Sequence, residues 1–347
     1  MQAKKNITAA APVRRPAADG GSILIIVIWW LVLLSTMAIA LYVTVSPRLG
    51  LTARLQERAK AHYAALAALQ VGMAAVAADD TPGYDGLTDA WSNRPDTFQS
   101  IAPGDTAFSL RHVAVGPGRE EAVLYGLSDE QAKININRAS ADMLRRLFEI
   151  AAELPTLEAT PIAAAIIDWR DTNDDTEPDG AESLYYQSLY PPYTCKNRPF
   201  QVLEELLLVR GITPAVFARV RDHVTLYGTG AININTADTI VLQCLGLSAA
   251  MADAVVRLRT GPDGAPGTGD DRVFERVADI VKTLSDQGSL SRTETSEVRR
   301  ALSGGKLTVR SDIFRGELVR QLANSPEGVQ ITFVFNRNRV LLQWREL

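Results

Sequence analysis

One apolar stretch, Ser22 to Val45, reads SILIIVIWWLVLLSTMAIALYVTV and carries no charge over its 24 residues. At about 1.5 Å of rise per helical residue, that length crosses a hydrocarbon core of roughly 30 Å. The segment therefore sets the first constraint: the remaining three hundred or so residues form a domain hung from a membrane. Ahead of it, Lys4, Lys5, Arg14 and Arg15 stand against Asp19 alone, a leader of net charge +3. By the positive-inside rule the leader stays in the cytoplasm and the C-terminal bulk lies across the membrane. A cleaved secretory signal would have an apolar region of about 7 to 15 residues and, after it, a small-residue cleavage site. Here the run is longer and its small residues precede it. The expectation is a retained, single-pass helix.

The leader ends in Gly20-Gly21 and the apolar helix begins at Ser22 with no polar run between them. This arrangement resembles the class III signal of type IV pilins and type II secretion pseudopilins, in which a prepilin peptidase cuts after a glycine. Subunits of the fibre shaft in that family usually carry a glutamate at the fifth position after the cut. Here the position is Ile26 if the cut is after Gly21, or Ile25 if it is after Gly20. A carboxylate in lipid is costly unless paired, and in the family it is thought to pair with the N-terminal amine of a neighbouring subunit. A chain without it lacks that pair, which suits a tip subunit and points to the K-type minor pseudopilin. The resemblance implies an inner-membrane location with a periplasmic head. It also implies processing at Gly20, Gly21 and Ser22, an inner-membrane secretion platform, and the I-type and J-type minor pseudopilins as partners.

Beyond the membrane span, Pro47 and Gly50 punctuate the chain and helix formers resume through Ala78. Leu51, Leu55, Leu66, Leu69, Met73 and Val76 recur at spacings compatible with one helical face, with Ala59 and His62 filling the gap. Residues 79 to 105, rich in Asp, Gly and Pro around Trp91, read as a loop. Strand-like runs come next at Ala107 to Val115 and Glu121 to Leu127, split by Gly116-Pro117-Gly118 as in a hairpin. Further candidate strands lie at Lys306 to Ile313, Glu317 to Leu322, Val329 to Phe335 and Arg339 to Trp344.

The expected fold is α+β: a long N-terminal helix and a small antiparallel sheet, with a large all-α domain inserted at about 133–302. The domain plan is 1–21 leader, 22–45 membrane helix, 46–78 periplasmic continuation, and 79–132 with 303–347 as the α+β body. The resemblance to the pseudopilin fold covers the long helix and the sheet. Asp129-Glu130 and the closing Leu342-Gln343-Trp344-Arg345-Glu346 also look like that family.

The helical region contains a repeat. Ile134-Asn135-Ile136-Asn137, with Ala139, Leu144 and Leu147, recurs 98 positions later as Ile232-Asn233-Ile234-Asn235, with Ala237, Leu242 and Leu245. AAAIIDWR at 163–170 matches ADAVVRLR at 252–259, and Phe200, Leu203 and Leu206 match Phe274, Val277 and Ile280. A duplicated helical unit, with copies at about 133–228 and 231–302, is the economical reading. Asn137 and Asn235 read as N-caps or Asx-turn residues.

The repeat also resembles the helix-hairpin-helix units of membrane-anchored competence DNA receptors, a rival function. Such hairpins use glycines to bring backbone N–H groups to a phosphate. The first copy has Glu149-Ile150-Ala151 there, the second only Gly246, and Gly211-Ile212-Thr213 is a partial match. The formal net charge of −4 becomes −7 once the +3 leader is set aside. Nucleic acid is therefore not an expected partner.

Between blocks of the first copy lies DWRDTNDDTEPDGAES. Asp171, Asn173, Asp175, Asp179 and Glu182 fall at positions 1, 3, 5, 9 and 12 of a calcium-loop register, though position 6 is Thr176 rather than glycine. Oxygen ligands concentrated in this way suit a hard cation. Gly180-Ala181-Glu182, Pro191-Pro192-Tyr193 and Asn197 resemble the metal-bearing loop of the K-type family, which implies calcium. The second copy places Asp263, Asp270 and Asp271 in a glycine-rich loop at the corresponding place, a weaker candidate for a second ion. Cys195 and Cys244 show no metal-ligand spacing and are either a disulfide or two lone thiols. His62, His112 and His223 stand in unrelated contexts, so no catalytic set is assembled and no enzymatic activity is expected.

Overall fold

The structure is a computed structural model that describes residues 20–101, 108–287, 291–320 and 329–346. The leader through Asp19 lies outside the described residues. In chain order the helices are α1 (Gly20–Ala77), α2 (Pro95–Phe98), α3 (Ala141–Ile150), α4 (Thr156–Arg170), α5 (Ser183–Gln187), α6 (Pro214–Val220), α7 (Thr239–Cys244), α8 (Ala249–Arg259), α9 (Ile280–Gln287) and α10 (Arg292–Ser303). The strands are β1 (Phe108–Val115), β2 (Glu121–Tyr125), β3 (Ser128–Asp129), β4 (Ile134–Asn135), β5 (Val224–Thr225), β6 (Ile232–Asn233), β7 (Leu307–Thr308), β8 (Ile313–Arg320), β9 (Val329–Asn336) and β10 (Leu341–Glu346).

The chain divides into two compact units, Met1–Ala59 and Lys60–Leu347. The first contains the apolar span Ile23–Val45, none of it buried against protein. A helix apolar on every face is suited to lipid rather than to a polar solvent. Helix α1 runs without interruption through Pro47 and Gly50, as one long helix continuing past the end of the expected membrane span. A proline inside a helix removes one hydrogen bond and tends to kink it, but does not have to end it.

In the second unit the C-terminal part of α1 lies on one face of a six-stranded antiparallel sheet ordered β10-β9-β8-β1-β2, with β3 also pairing β8. The buried helix face keeps only the C-terminal half of the stripe expected from spacing, Leu69, Met73 and Val76. Leu55 and Leu66 are exposed, and the contact is made by Ala61, Ala64, Ala65, Ala68, Leu69, Met73 and Val76. Small residues let a helix approach a sheet closely, so the alanines carry the packing. Period-two alternation aims Phe108, Leu110, Phe314, Leu318, Ile331, Phe333 and Phe335 at the same core, where Trp91 and Phe98 of the expected loop are also fully buried. The hairpin β1–β2 pairs from Arg111↔Tyr125 to Val115↔Glu121.

Two C-terminal strand expectations shift. Within Lys306 to Ile313 only Leu307–Thr308 is strand, and it pairs with β6 rather than joining the sheet. The sheet strand is Ile313–Arg320, which starts earlier than the expected Glu317 because Phe314, Gly316 and Leu318 alternate inward.

A second core fills residues 134–309. The region is not purely helical as expected: β4 pairs β5 and β6 pairs β7, each in parallel. The first two residues of each INxN segment are strand, with all four isoleucines buried. The asparagine roles also differ from expectation. Ser140 and Asp238 cap α3 and α7, accepting from Met143 N and Val241 N. Asn135 and Asn233 make the Asx-turns, accepting from Asn137 N at 2.9 Å and Asn235 N at 3.0 Å. Asn137 and Asn235 instead reach across the chain. Asn137 accepts from Phe200 N at 2.7 Å and donates to Phe200 O at 3.0 Å. Asn235 does the same with Phe274, at 2.8 and 3.0 Å. Arg170 donates to the carbonyls of Ile136 and Ala139, and Arg259 to those of Ile234 and Ala237.

Candidate metal centre

Helix α4 ends at Arg170, and its free C-terminal carbonyls give that end partial negative charge, which favours a cation. Asp168, in its last turn, and Asp171, its C-cap, point to where Glu182 begins α5. One carboxylate oxygen from each of the three lies within 4.8 Å of the others. Asp168 is fully buried and its oxygens accept from Glu177 N at 3.0 Å and Ala181 N at 2.7 Å, closing the acidic loop onto the helix. Gly180 permits this approach, since a Cβ there would stand 2.0 Å from the Asp168 Oδ2. Arg210 donates to the Gly180 carbonyl at 2.9 Å and lies over the Tyr185 ring. Below the site Trp169 packs among Tyr186, Tyr193 and Phe200.

Glu182 decides the chemistry. It is 3 % exposed, and its carboxylate oxygens have no partner in the chain beyond the Cys195 thiol. Asn197 Oδ1 is likewise buried and unpartnered, while its amide donates to Asn173 O and to Asp174 Oδ1. Burial, with the Asp168, Asp171 and Asp174 carboxylates nearby, pushes Glu182 up to about 7. A buried, unpaired carboxylate beside two more is costly as protein alone. Oxygen donors of this kind at a helix C-terminus fit a hard divalent cation such as calcium.

Of the expected first-loop ligands, the structure gathers Asp171 and Glu182 and adds Asp168. Asp175 and Asp179 are exposed and lie outside this carboxylate group, and Asn173 Oδ1 accepts from Asp175 N. Asp168 had one available signal: in the aligned repeats AAAIIDWR and ADAVVRLR it stands opposite Arg257, a reversal of charge.

The second loop brings together all three expected residues, Asp263, Asp270 and Asp271, again within 4.8 Å. Their oxygens are engaged by the chain itself. Asp263 accepts from Ala265 N, Asp270 from Asp263 N and Thr268 Oγ1, and Asp271 from Gly267 N. A third acidic group, Asp79, Asp85 and Asp89, already encloses a cation, the Arg337 guanidinium, which pairs with Asp79 at 3.2 Å and with Asp85.

The remaining candidate residues are scattered. Gly20, Gly21 and Ser22 form the start of α1, and Ile25 and Ile26 are exposed in its apolar segment. Cys195 and Cys244 are both buried free thiols, Cys195 pushed up to about 12 by burial. His62 pairs with Glu346 and His223 with Asp238, far apart in the chain, while His112 is buried. At the second helical hairpin the N–H of Ser248, the N-cap of α8, donates to Glu297 Oε2 at 2.9 Å, so an internal carboxylate holds the place a phosphate would take. Gly211 serves packing, because a Cβ there would meet Ile162 at 2.7 Å.

Comparison with known proteins agrees with the resemblance read from the sequence. Residues 122–229 match the family described as type II secretion system (T2SS), protein K. The chain is 27% identical over 220 residues to type II secretion system protein K of Klebsiella pneumoniae, covering 59% of this chain and 63% of that protein. It is 25% identical over 196 residues to the protein of the same name from Aeromonas hydrophila, covering 56% of each. The matched stretches thus span less than two thirds of these relatives' own length. Among solved structures, one reported as the GspK-GspI-GspJ complex from the enterotoxigenic Escherichia coli type 2 secretion system contains a chain of similar fold. The TM-score is 0.60 at 17% identity, over 85% of this chain and 98% of that one. Residues 122–229 are thus similar in sequence to the type II secretion system protein K family.

Proposed function

We propose that this chain is the K-type minor pseudopilin of a type II secretion system, a non-enzymatic subunit that caps or initiates the periplasmic pseudopilus. The observation that carries the reading is the family match over residues 122–229, on a chain with one lipid-suited helix, Ile23–Val45, among the described residues. The helix would anchor the protein in the inner membrane, leader inward and head in the periplasm, after prepilin peptidase removes the basic leader. With isoleucine at both Ile25 and Ile26, the mature stem has no acid to pair with a neighbour's terminal amine. The head would be a pseudopilin body carrying an inserted, duplicated helical unit. The matching clamps of Asn137 on Phe200 and Asn235 on Phe274 support that duplication. A tip subunit tolerates such an insert because nothing stacks above it. The chain in the similar solved complex is found with GspI and GspJ, which supports I-type and J-type minor pseudopilins as partners here.

Mass spectrometry of the assembled protein tests the reading. A mature N-terminus at Gly21 or Ser22, with co-purification of the I-type and J-type subunits, is expected. An intact Met1 terminus and no such complex would reject it.

The head would also hold calcium between Asp168, Asp171 and Glu182, with the Asp263, Asp270 and Asp271 loop as a second and weaker site. Bound calcium would replace the hydrogen-bond partners that Glu182 lacks and tie the end of α4 to the start of α5. Elemental analysis together with melting in calcium and in EDTA checks this. The midpoint should rise with calcium, and absence of both metal and shift would remove the assignment.

A further inference from the structure

Cys195 lies on the connection between α5 and α6 and is 7 % exposed. Its Sγ is 3.7 Å from the carbonyl oxygen of Asp168 and within hydrogen-bonding reach of the Glu182 carboxylate. It therefore touches two of the three residues that build the acidic centre. The sulfur is held in place by its own turn. The backbone N–H groups of Lys196 and Asn197 approach it, and Asn197 takes a φ of +48°, a left-handed conformation that asparagine tolerates. From that turn the Asn197 amide donates to Asn173 O at 2.8 Å and to Asp174 Oδ1 at 2.9 Å, and Lys196 pairs with Glu205 at 2.6 Å. The segment bearing Cys195 is thus tied to the acidic loop on one side and to the stretch before α6 on the other.

Glu182 is the side chain that needs such a support. No nitrogen or oxygen donor reaches its buried carboxylate, and the Asp168, Asp171 and Asp174 carboxylates repel it. An S–H donor is weak and occupies one lone pair of a carboxylate that has about four, so the rest of its acceptor capacity stays open to a cation. Burial and the neighbouring Glu182 push the Cys195 thiol up to about 12, so the proton that makes this contact stays on sulfur. Cys244 is also a buried thiol, but among the described residues no hydrogen bond engages it.

We propose that Cys195 is a positioning residue of the metal centre: its thiol holds the Glu182 carboxylate on the Asp168 side, so that the three carboxylates are gathered before a divalent cation arrives. Calcium takes oxygen ligands. The sulfur therefore acts on a ligand and does not touch the ion, a role that rests on the calcium reading of this centre. Outer donors of this kind orient metal ligands, and losing one typically costs about 10- to 100-fold in affinity.

The test titrates the full chain, in detergent micelles, with calcium against a chelating dye. Cys195→Ala should weaken calcium binding about tenfold. Cys195→Ser, which keeps a hydrogen-bond donor, should recover most of that loss. A packing role alone would make serine, polar at a buried position, no better than alanine. The infrared S–H stretch reads the contact in the unaltered chain, whose two thiols should give separate bands. The band that disappears in Cys195→Ala should lie at lower frequency than that of Cys244, and calcium should move it while the Cys244 band stays in place. Unchanged affinity in Cys195→Ala, no recovery with serine, or a Cys195 band insensitive to calcium would overturn this inference and leave the calcium reading standing. No calcium binding by the unaltered chain would overturn both.

Discussion

Asn235 is 2 % exposed, and its one side chain satisfies both the N–H and the C=O of Phe274. Asn235→Ala would leave those two backbone groups without partners in the core, a loss of about 2–6 kcal/mol at 1–3 per orphaned group. Urea titration of the full chain in micelles would read it, and Asn137→Ala, at a more exposed position, should cost less. Glu182 differs because its buried carboxylate has only the Cys195 thiol as a partner in the protein. Glu182→Gln should therefore leave the melting temperature in EDTA unchanged or higher, and should abolish the rise that calcium produces. Gly180→Ala should act through the neighbouring Asp168, whose Oδ2 would be 2.0 Å from the new methyl. Calcium titration of that variant should find its affinity reduced at least tenfold, one ligand having been forced aside.

At the scale of elements, the loop between α4 and α5 gives the head a specific pH response. The folded-state pKa of Glu182, at about 7, lies above its ordinary value of 4.5, so the metal-free fold holds a proton that the unfolded chain has already released. Stability from this group is present at low pH and is lost as pH rises from about 4.5 through 7. Melting in EDTA should therefore fall between pH 5 and pH 8, whereas saturating calcium, which needs the ionised carboxylate, should flatten or reverse that trend. A second element-scale feature is the buried carboxylate of Asp129, in β3. It accepts from Ser311 Oγ, Thr236 Oγ1, Gln131 N and Asn233 Nδ2, joining β3, the second INxN segment and the stretch before β8. The dipeptide Asp129-Glu130 was visible as a motif, but its role was not, because its partners are up to 182 residues away in the chain.

At the scale of the whole molecule, the first buried residue of the sheet-packed core is Ala61, and the second compact unit begins at Lys60. A chain started at Lys60 should fold alone with a cooperative thermal transition, monitored by circular dichroism; a non-cooperative melt would show that the preceding helix is needed. The membrane span, the α+β class with its long helix, the paired INxN segments and both acidic loops could be read from the chain, because each depends on local composition or spacing. Apolar length decides whether a helix suits lipid, and period-two alternation marks a strand wherever the chain pairs. What the tertiary structure alone decided were the choices made between distant segments. Four alanines of α1 meet the sheet beside Leu69 while Leu55 and Leu66 stay exposed, Leu307–Thr308 leaves the sheet for β6, and Asn137 clamps Phe200 instead of capping a helix. Asp168 joins the acidic centre although it sits in an apolar helix, because only the folded loop brings the end of α4 against Glu182. Close approach and hydrogen-bond satisfaction depend on which surfaces meet, and a linear pattern of residue types does not contain that information.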